Sequence, residues 1–303
     1  MKILIGFQEG EISVGGFYKR AFESLGHETI VVGPGHDSKY SSSGVYGPGN
    51  GIYIYDAKDI YEKENYDLAL LIEPGLFFSN VANIPVPCAI YCVDSMLFPS
   101  TWQMEPFGGI EYLKEIKGIF TARMAHVPLW ERFGLVANYL PLAYDPEYHY
   151  SVEAEKKYDI VFVGRAMPEI YPERAHVLKV LRDAGFSVWT GQVMTDDYCQ
   201  RVAEGKIALN NSHEPDTNMR FFELLGMKSL QLTTLMHGQE ILGFYPRKHI
   251  YCYNTDTDLI NKCNEILGKD KVRAQVAEAG YQQAKTHTYQ DRAKEMLNIV
   301  FKR

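Results

Sequence analysis

Short apolar runs alternate with helix-length segments twice along this chain, and one polar stretch separates the two series. No other feature limits the fold so strongly. In the first series, strands are predicted at Met1–Phe7, Thr29–Val32, Leu68–Ile72, Cys88–Val93, Ile119–Thr121 and Val136–Leu140. A loop through Gly15-Gly16 leads into a helix at Phe17–Leu25, closed by Gly26; further helices fall at Ala57–Glu64, within Thr101–Lys117 and around Leu129–Phe133. Gly33–Gly51, rich in Gly, Ser and Pro, has no periodicity and reads as a long loop of the kind that carries function. Asp145–Asp159 has no apolar face and reads as a linker. The second series follows: strands at Ile160–Val163, Phe186–Trp189, Ile207–Leu209, Leu230–Thr233 and Ile250–Tyr253. Its helices are Glu173–Ala184, Asp196–Ala203, Met219–Leu225 and a tail from Asp256 to Arg303 broken near Gly268 and Thr286–Thr288.

Strands that are apolar throughout are buried on both faces, as in parallel sheets. Two such series predict an α/β chain of two Rossmann-like domains, residues 1–150 and 151–303, each an open sheet covered by helices. The last helix of the tail can pack back on the first domain. A cleft outside the carboxyl ends of the strands is then the expected site.

The 303 residues are 46% hydrophobic and 23% charged, enough to bury cores without disulfides or metals. A net charge of −7 and a pI near 5.8 argue against a broad polyanion-binding surface. No apolar run reaches the ~20 residues of a membrane span. The start, MKILIGFQEG, lacks the plan of a signal peptide, so a cytoplasmic protein is expected. Five cysteines, an odd number with no C-x-x-C, fit buried reduced thiols. The 21 tyrosines serve either the core or stacking surfaces, among them Tyr40, Tyr46, Tyr53 and Tyr55. There is no G-x-G-x-x-G after the first strand, no Walker A lysine and no zinc-ligand spacing, which sets aside dinucleotide redox and ATPase chemistry.

Three constellations carry chemistry. In VFVGR, Gly164 ends a buried strand, Arg165 follows, and Arg174 opens the next helix. A strand-end glycine and a helix N-terminus with two guanidiniums suit a diphosphate; the alternative is surface arginines, with Arg174 paired to Glu169. Gly191, beyond the next strand, joins this group. In KIALNNSHEPDTNMRFFELLG, Asn211 ends a strand, and Arg220 and Glu223 share a helix face at i, i+3. They form either an intrahelical pair or, from the cleft edge, a phosphate contact and an acceptor for ribose hydroxyls. In AIYCVDSMLFPSTW, Asp94 emerges from a strand as a general base or as a turn cap. Gly15, Gly16 and Trp102 are candidate acceptor-side positions. Asp256-Thr257-Asp258 fits the D-x-D of metal-dependent sugar transferases, but its place at a helix start favours capping, and no metal site is expected.

The run Tyr158–Tyr289, with VFVGR, PERA, KIALN and NMRFFELLG, resembles the donor domain of GT-B glycosyltransferases, closest to the "glycosyl transferases group 1" kind of CgeB-like proteins. YLPLAYDPEYH (Tyr139–His149) is similar to that group as well. AIYCVDSMLFPSTW is similar to the segment carrying the base aspartate in bacteriophage DNA β-glucosyltransferases. The resemblance implies a GT-B architecture, two Rossmann-like domains facing across a cleft, that moves a sugar from a nucleotide-sugar, UDP-linked by expectation. The donor would be a co-substrate, with no cofactor and no metal. It implies that Glu223 holds the donor ribose and that Arg165, Arg174 and Arg220 hold the diphosphate. One departure is Pro215, where many retaining members place a second glutamate; with Asp94 as base, inversion is the simpler expectation. The similarity to the phage enzymes raises DNA as an acceptor, but the acidic balance disfavours it, and a saccharide, a cell-surface polymer or a small molecule is the expected acceptor. A nucleotide-sugar 2-epimerase, needing ionisable groups such as Glu9, Glu73 and Asp94, and a non-catalytic nucleotide-sugar binder are the competing readings.

Overall fold

The continuous apolar runs fold as parallel strands. A computed structural model describes residues 1–8, 10, 12–34, 40, 42–47, 50–72, 76–93, 110–212 and 215–302. The chain divides into two units, Met1–Pro141 with Tyr289–Arg303, and Leu142–Thr288.

The first unit contains β1 (Lys2–Gly6), α1 (Val14–Ser24), β2 (Glu28–Val32), β3 (Ser43–Gly47), β4 (Asn50–Asp56), α2 (Ala57–Glu64) and β5 (Leu68–Ile72). It continues with β6 (Leu76–Ser79), β7 (Cys88–Cys92), α3 (Ile110–Lys114), β8 (Gly118–Thr121), α4 (Val127–Glu131) and β9 (Ala137–Tyr139). Six of these strands form a parallel sheet in the order β2-β1-β5-β7-β8-β9. Every residue of β5 and β7 is buried, which is what their unbroken apolar sequence requires.

Two expectations are corrected here. The segment Gly33–Gly51 is not a loop throughout: β3 and β4 pair antiparallel within and beyond it, and β4 pairs with β6, giving a separate three-stranded sheet. Helix α1 begins at Val14 rather than Phe17, because Ser13 caps it, its hydroxyl accepting the Gly16 N–H at 3.1 Å. Gly15 and Gly16 are therefore buried in the first turn instead of lining a loop. A Cβ on Gly15 would lie 2.1 Å from the Phe7 ring, so this glycine allows the helix to close on the strand.

The second unit holds β10 (Tyr158–Val163), α5 (Pro172–Asp183), β11 (Val188–Gly191), α6 (Asp196–Ala203), β12 (Gly205–Asn210) and α7 (Met219–Gly226). It ends with β13 (Gln231–Thr234), β14 (Tyr251–Tyr253), α8 (Asp256–Leu267) and α9 (Asp270–Ala284). Its sheet is parallel, in the order β11-β10-β12-β13-β14. Alternate residues serve two cores: Ile160, Phe162 and Leu209 pack with Leu178, Leu181 and Ile266, while Val161 and Ala208 pack with Cys199 and Leu224. The chain steps from β10 outward to β11, then back past β10 to β12, so the strand order reverses between β10 and β12. That reversal opens a crevice at their carboxyl ends.

The linker is shorter than its polarity predicts. Tyr158 and Asp159 already belong to β10, and Asp145–His149 is an ordered turn in which His149 N–H donates to the Asp145 carbonyl at 2.9 Å. The final helix, α10 (Tyr289–Phe301), belongs to the first unit: Tyr289 stacks on Phe17 at 4.9 Å, and Arg292 Nε donates to the Pro141 carbonyl at 2.9 Å.

Candidate functional site

At the crevice between β10 and β12 the backbone makes room for charge. Gly164, directly after β10, has φ +145°, a conformation that suits glycine. Its N–H donates to the Gly191 carbonyl at 2.8 Å, joining the ends of β10 and β11. A Cβ on Gly164 would sit 2.2 Å from Arg220 Nη2, so the missing side chain is the space the guanidinium fills. Arg220 also lies 4.7 Å over the Phe162 ring.

Arg220 is delivered by the start of α7. Asn218 caps that helix, accepting the Phe221 N–H at 2.9 Å. Asn218 and Asn210 exchange side-chain hydrogen bonds of 3.1 and 3.2 Å, tying the helix start to the end of β12. Arg174, in the first turn of α5, reaches the same place. Its Nε donates to the Asn211 carbonyl at 3.1 Å and its Nη1 to the Arg165 carbonyl at 3.2 Å, while its guanidinium lies 4.3 Å from the Tyr171 ring. Burial first, then the charge of Arg220, pull the Arg174 pKa below the usual arginine value. Among the described residues, neither Arg174 nor Arg220 forms an ion pair with a carboxylate, so the Arg174–Glu169 alternative is not formed. The two guanidiniums are both only partly exposed and have no described counter-charge, an arrangement whose chemistry suits an anion with more than one negative charge. Arg165 is exposed beside them, its Nε donating to Gln192 Oε1 at 3.3 Å.

Glu223 forms no ion pair with Arg220. It is 8% exposed, and its Oε2 accepts the Tyr198 hydroxyl at 2.9 Å. Its Oε1 lies 3.5 Å from His149 Nε2. Burial, then the neighbouring Glu223, push the Tyr198 pKa well above the usual phenol value, so the hydroxyl remains a donor. Asn211 is buried; its Nδ2 donates to the Tyr253 hydroxyl at 3.0 Å, and its Oδ1 makes no hydrogen bond among the described residues. Of the residues singled out from the sequence, Gly164, Arg165, Arg174, Gly191, Asn211 and Arg220 lie together at the carboxyl ends of β10, β11 and β12. Sequence reasoning missed His149, Tyr198 and the Asn210–Asn218 pair, since those contacts follow no local spacing.

Other candidates fall differently. Asp94 and Trp102 lie outside the described residues, as do Glu9 and Glu73. Gly15 and Gly16 serve helix packing, as described above. Tyr40 and Tyr55 are buried in the first unit's core and offer no stacking face; Tyr53 packs against that core, and the side chain of Tyr46 lies outside the described set. Thr255 caps α8 by accepting the Asp258 N–H, Asp258 accepts the Asn254 N–H at 3.2 Å, and Asp256 meets His176 Nε2 at 2.7 Å. Among the described residues there is no group of three or more His, Cys, Asp or Glu placed to hold a metal ion. No helix among them is long and apolar enough to cross a membrane.

The geometry at Gly164 makes its own prediction. Gly164→Ala places a methyl group against Arg220 and forces a strained φ, which is expected to cost about 1–3 kcal/mol. Thermal denaturation should show a melting temperature several degrees lower; an unchanged value would mean that the site yields without strain.

Residues 151–298 match a family described as glycosyl transferase-like. No curated protein sequence matches the chain. Solved structures resemble it over its whole length. Sucrose-phosphate synthase from Thermosynechococcus elongatus has a TM-score of 0.64 at 10% identity, covering 99% of this chain and 98% of the other. An α-glucosyltransferase in complex with UDP and a 13-mer DNA containing an HMU base has a TM-score of 0.64 at 11% identity, covering 99% of each chain. HepE from Anabaena, in complex with UDP and glucose, has a TM-score of 0.63 at 12% identity, covering 100% of each. The fold they share with this chain is GT-B.

Proposed function

We propose that this protein, whose residues 151–298 match a family described as glycosyl transferase-like and whose fold is GT-B, is a glycosyltransferase that moves a sugar from a UDP-sugar to an acceptor hydroxyl without a metal ion. The observation that carries the donor reading is the Arg174–Arg220 pair, part-buried at the sheet's switch point with no carboxylate partner among the described residues. A diphosphate supplies the missing negative charge, and Gly164 gives the Arg220 guanidinium the room to stand over the end of β10. As the anomeric carbon–oxygen bond breaks, charge builds on the leaving diphosphate. The guanidiniums are already in place to receive it, so no metal is called on for that purpose. Glu223 takes the ribose hydroxyls.

Asp94 is the proposed base. It would take the proton of the acceptor hydroxyl as that oxygen attacks the anomeric carbon, which inverts the configuration. The acceptor reading is a saccharide or small molecule. DNA is the second reading: one structural neighbour was solved with DNA, but the net charge of −7 gives weak non-specific attraction to a polyanion.

The test is a thermal-shift panel of nucleotide-sugars followed by transfer assays. UDP-sugars are expected to raise the melting temperature, with nucleosides lacking phosphate giving little shift. Turnover is expected to survive excess EDTA. Turnover lost in chelator and restored by Mn²⁺ or Mg²⁺ would refute the metal-free mechanism, and a panel with no UDP-sugar shift would refute the donor class.

A further inference from the structure

We propose that His149 is a positioning residue for donor recognition: it holds the Glu223 carboxylate where the two ribose hydroxyls of a nucleotide reach it. This rests on the reading of Glu223 as the ribose acceptor. His149 stands on no catalytic motif and lies in the segment that joins the two sheets in sequence, yet it is only 2% exposed.

The turn around it is built from its own residues. Asp145 Oδ1 accepts the Glu147 N–H at 3.0 Å, and the Asp145 carbonyl accepts the Tyr148 and His149 N–H groups at 3.1 and 2.9 Å. The Asp145 N–H meets His149 Nδ1 at 3.1 Å. The Tyr148 carbonyl accepts the Cys199 thiol at 3.2 Å, which docks the turn on α6. A carboxylate only accepts hydrogen bonds, so what His149 can offer Glu223 is a proton on Nε2; Nδ1 lies 3.1 Å from both the Asp145 N–H and the Asp145 carbonyl, which hold the ring from the other side.

Glu223 is thus bracketed from two elements. The Tyr198 hydroxyl, from α6, binds Oε2 at 2.9 Å, and His149 Nε2 faces Oε1 at 3.5 Å. The second contact is longer than a full hydrogen bond and acts mainly by electrostatic steering. The His149 and Tyr198 rings stand edge-on to each other, at 6.1 Å and 85°, on either side of the carboxylate they contact. Each carboxylate oxygen keeps a lone pair, which is what a vicinal diol needs. Without His149, Oε1 has no described donor to oppose rotation about the terminal bond, and one of the two hydroxyls loses its acceptor.

The experiment separates this role from a general contribution to folding. Affinities for UDP and for 2′-deoxy-UDP are measured by calorimetry on the wild type, His149→Asn and His149→Gln. The Asn variant keeps an acceptor near the Asp145 N–H but falls short of Glu223, whereas the Gln variant carries an amide donor to the Nε2 position. The wild type is expected to prefer UDP about tenfold, as a buried acceptor deprived of its hydroxyl requires. His149→Asn is expected to bring that ratio close to one, and His149→Gln to restore most of it. A fold defect would weaken both nucleotides alike and leave the ratio unchanged. An undiminished ratio in His149→Asn, or a ratio lost equally in His149→Gln, overturns the role of His149 while leaving Glu223 in place. A wild type that binds both nucleotides equally overturns the ribose reading itself.

Discussion

Arg220→Ala is expected to weaken UDP binding about a hundredfold while shifting the melting temperature little. Losing a charge-assisted bond to phosphate costs about 2–3 kcal/mol, or roughly 30- to 150-fold in affinity. The effect on the fold has two parts of opposite sign. The guanidinium's contact with the Phe162 ring is lost, worth about 0.5–1 kcal/mol where partly exposed. The repulsion it exerts on Arg174 is lost too, which favours the folded state. Calorimetry with UDP and with uridine distinguishes the two roles. A phosphate-binding arginine costs UDP its affinity and leaves uridine unchanged. Equal losses for both, together with a fall in melting temperature, would assign Arg220 to the structure of the helix start instead.

Asp94→Asn is expected to lower kcat by about 10²–10⁴-fold, the usual range for loss of a general base, with UDP affinity unchanged. Asp94 follows β7 by two residues, and the substitution keeps shape and most hydrogen bonding while removing the charge that accepts a proton. A turn or cap role would instead cost about 1 kcal/mol of stability and leave the chemical step alone. Single-turnover rate and melting temperature on the same variant decide between them. A stable, UDP-binding Asp94→Asn protein with near-normal turnover would remove Asp94 from the mechanism and favour retention of configuration.

The strands that organise both sheets are legible because LALLI and CAIYC are apolar at every position, a pattern that burial on both faces demands. The β3–β4 pair is not, because SGVYG and the start of β4 mix glycine, serine and aromatics without alternation, and the pairing is decided by β6 from beyond the next helix. At the site, strand-end placement pointed to Gly164 and Arg174, and the start of a helix at the cleft edge pointed to Arg220. What could not be read is how they meet: Gly164 and Arg220 are brought together by the Asn210–Asn218 exchange, a tertiary contact with no periodic trace. The i, i+3 spacing of Arg220 and Glu223 is a real signal of shared face, yet the carboxylate is claimed by Tyr198, which spacing cannot foresee.

The return of α10 to the first unit has a consequence for how the molecule is made. The chain leaves that unit at Pro141 and re-enters it at Tyr289, so the second unit is an uninterrupted stretch and the first is not. On the ribosome, Leu142–Thr288 emerges whole before the first sheet receives its closing helix. Until then Phe17 and Tyr18, which pack against Tyr289 at 4.9 and 5.3 Å, have no cover on that side. The first unit, although its whole sheet is synthesised first, is therefore the one whose last packing element arrives at the end of synthesis. Through that interval the faces of Phe17 and Tyr18 lack the ring that Tyr289 later lays on them.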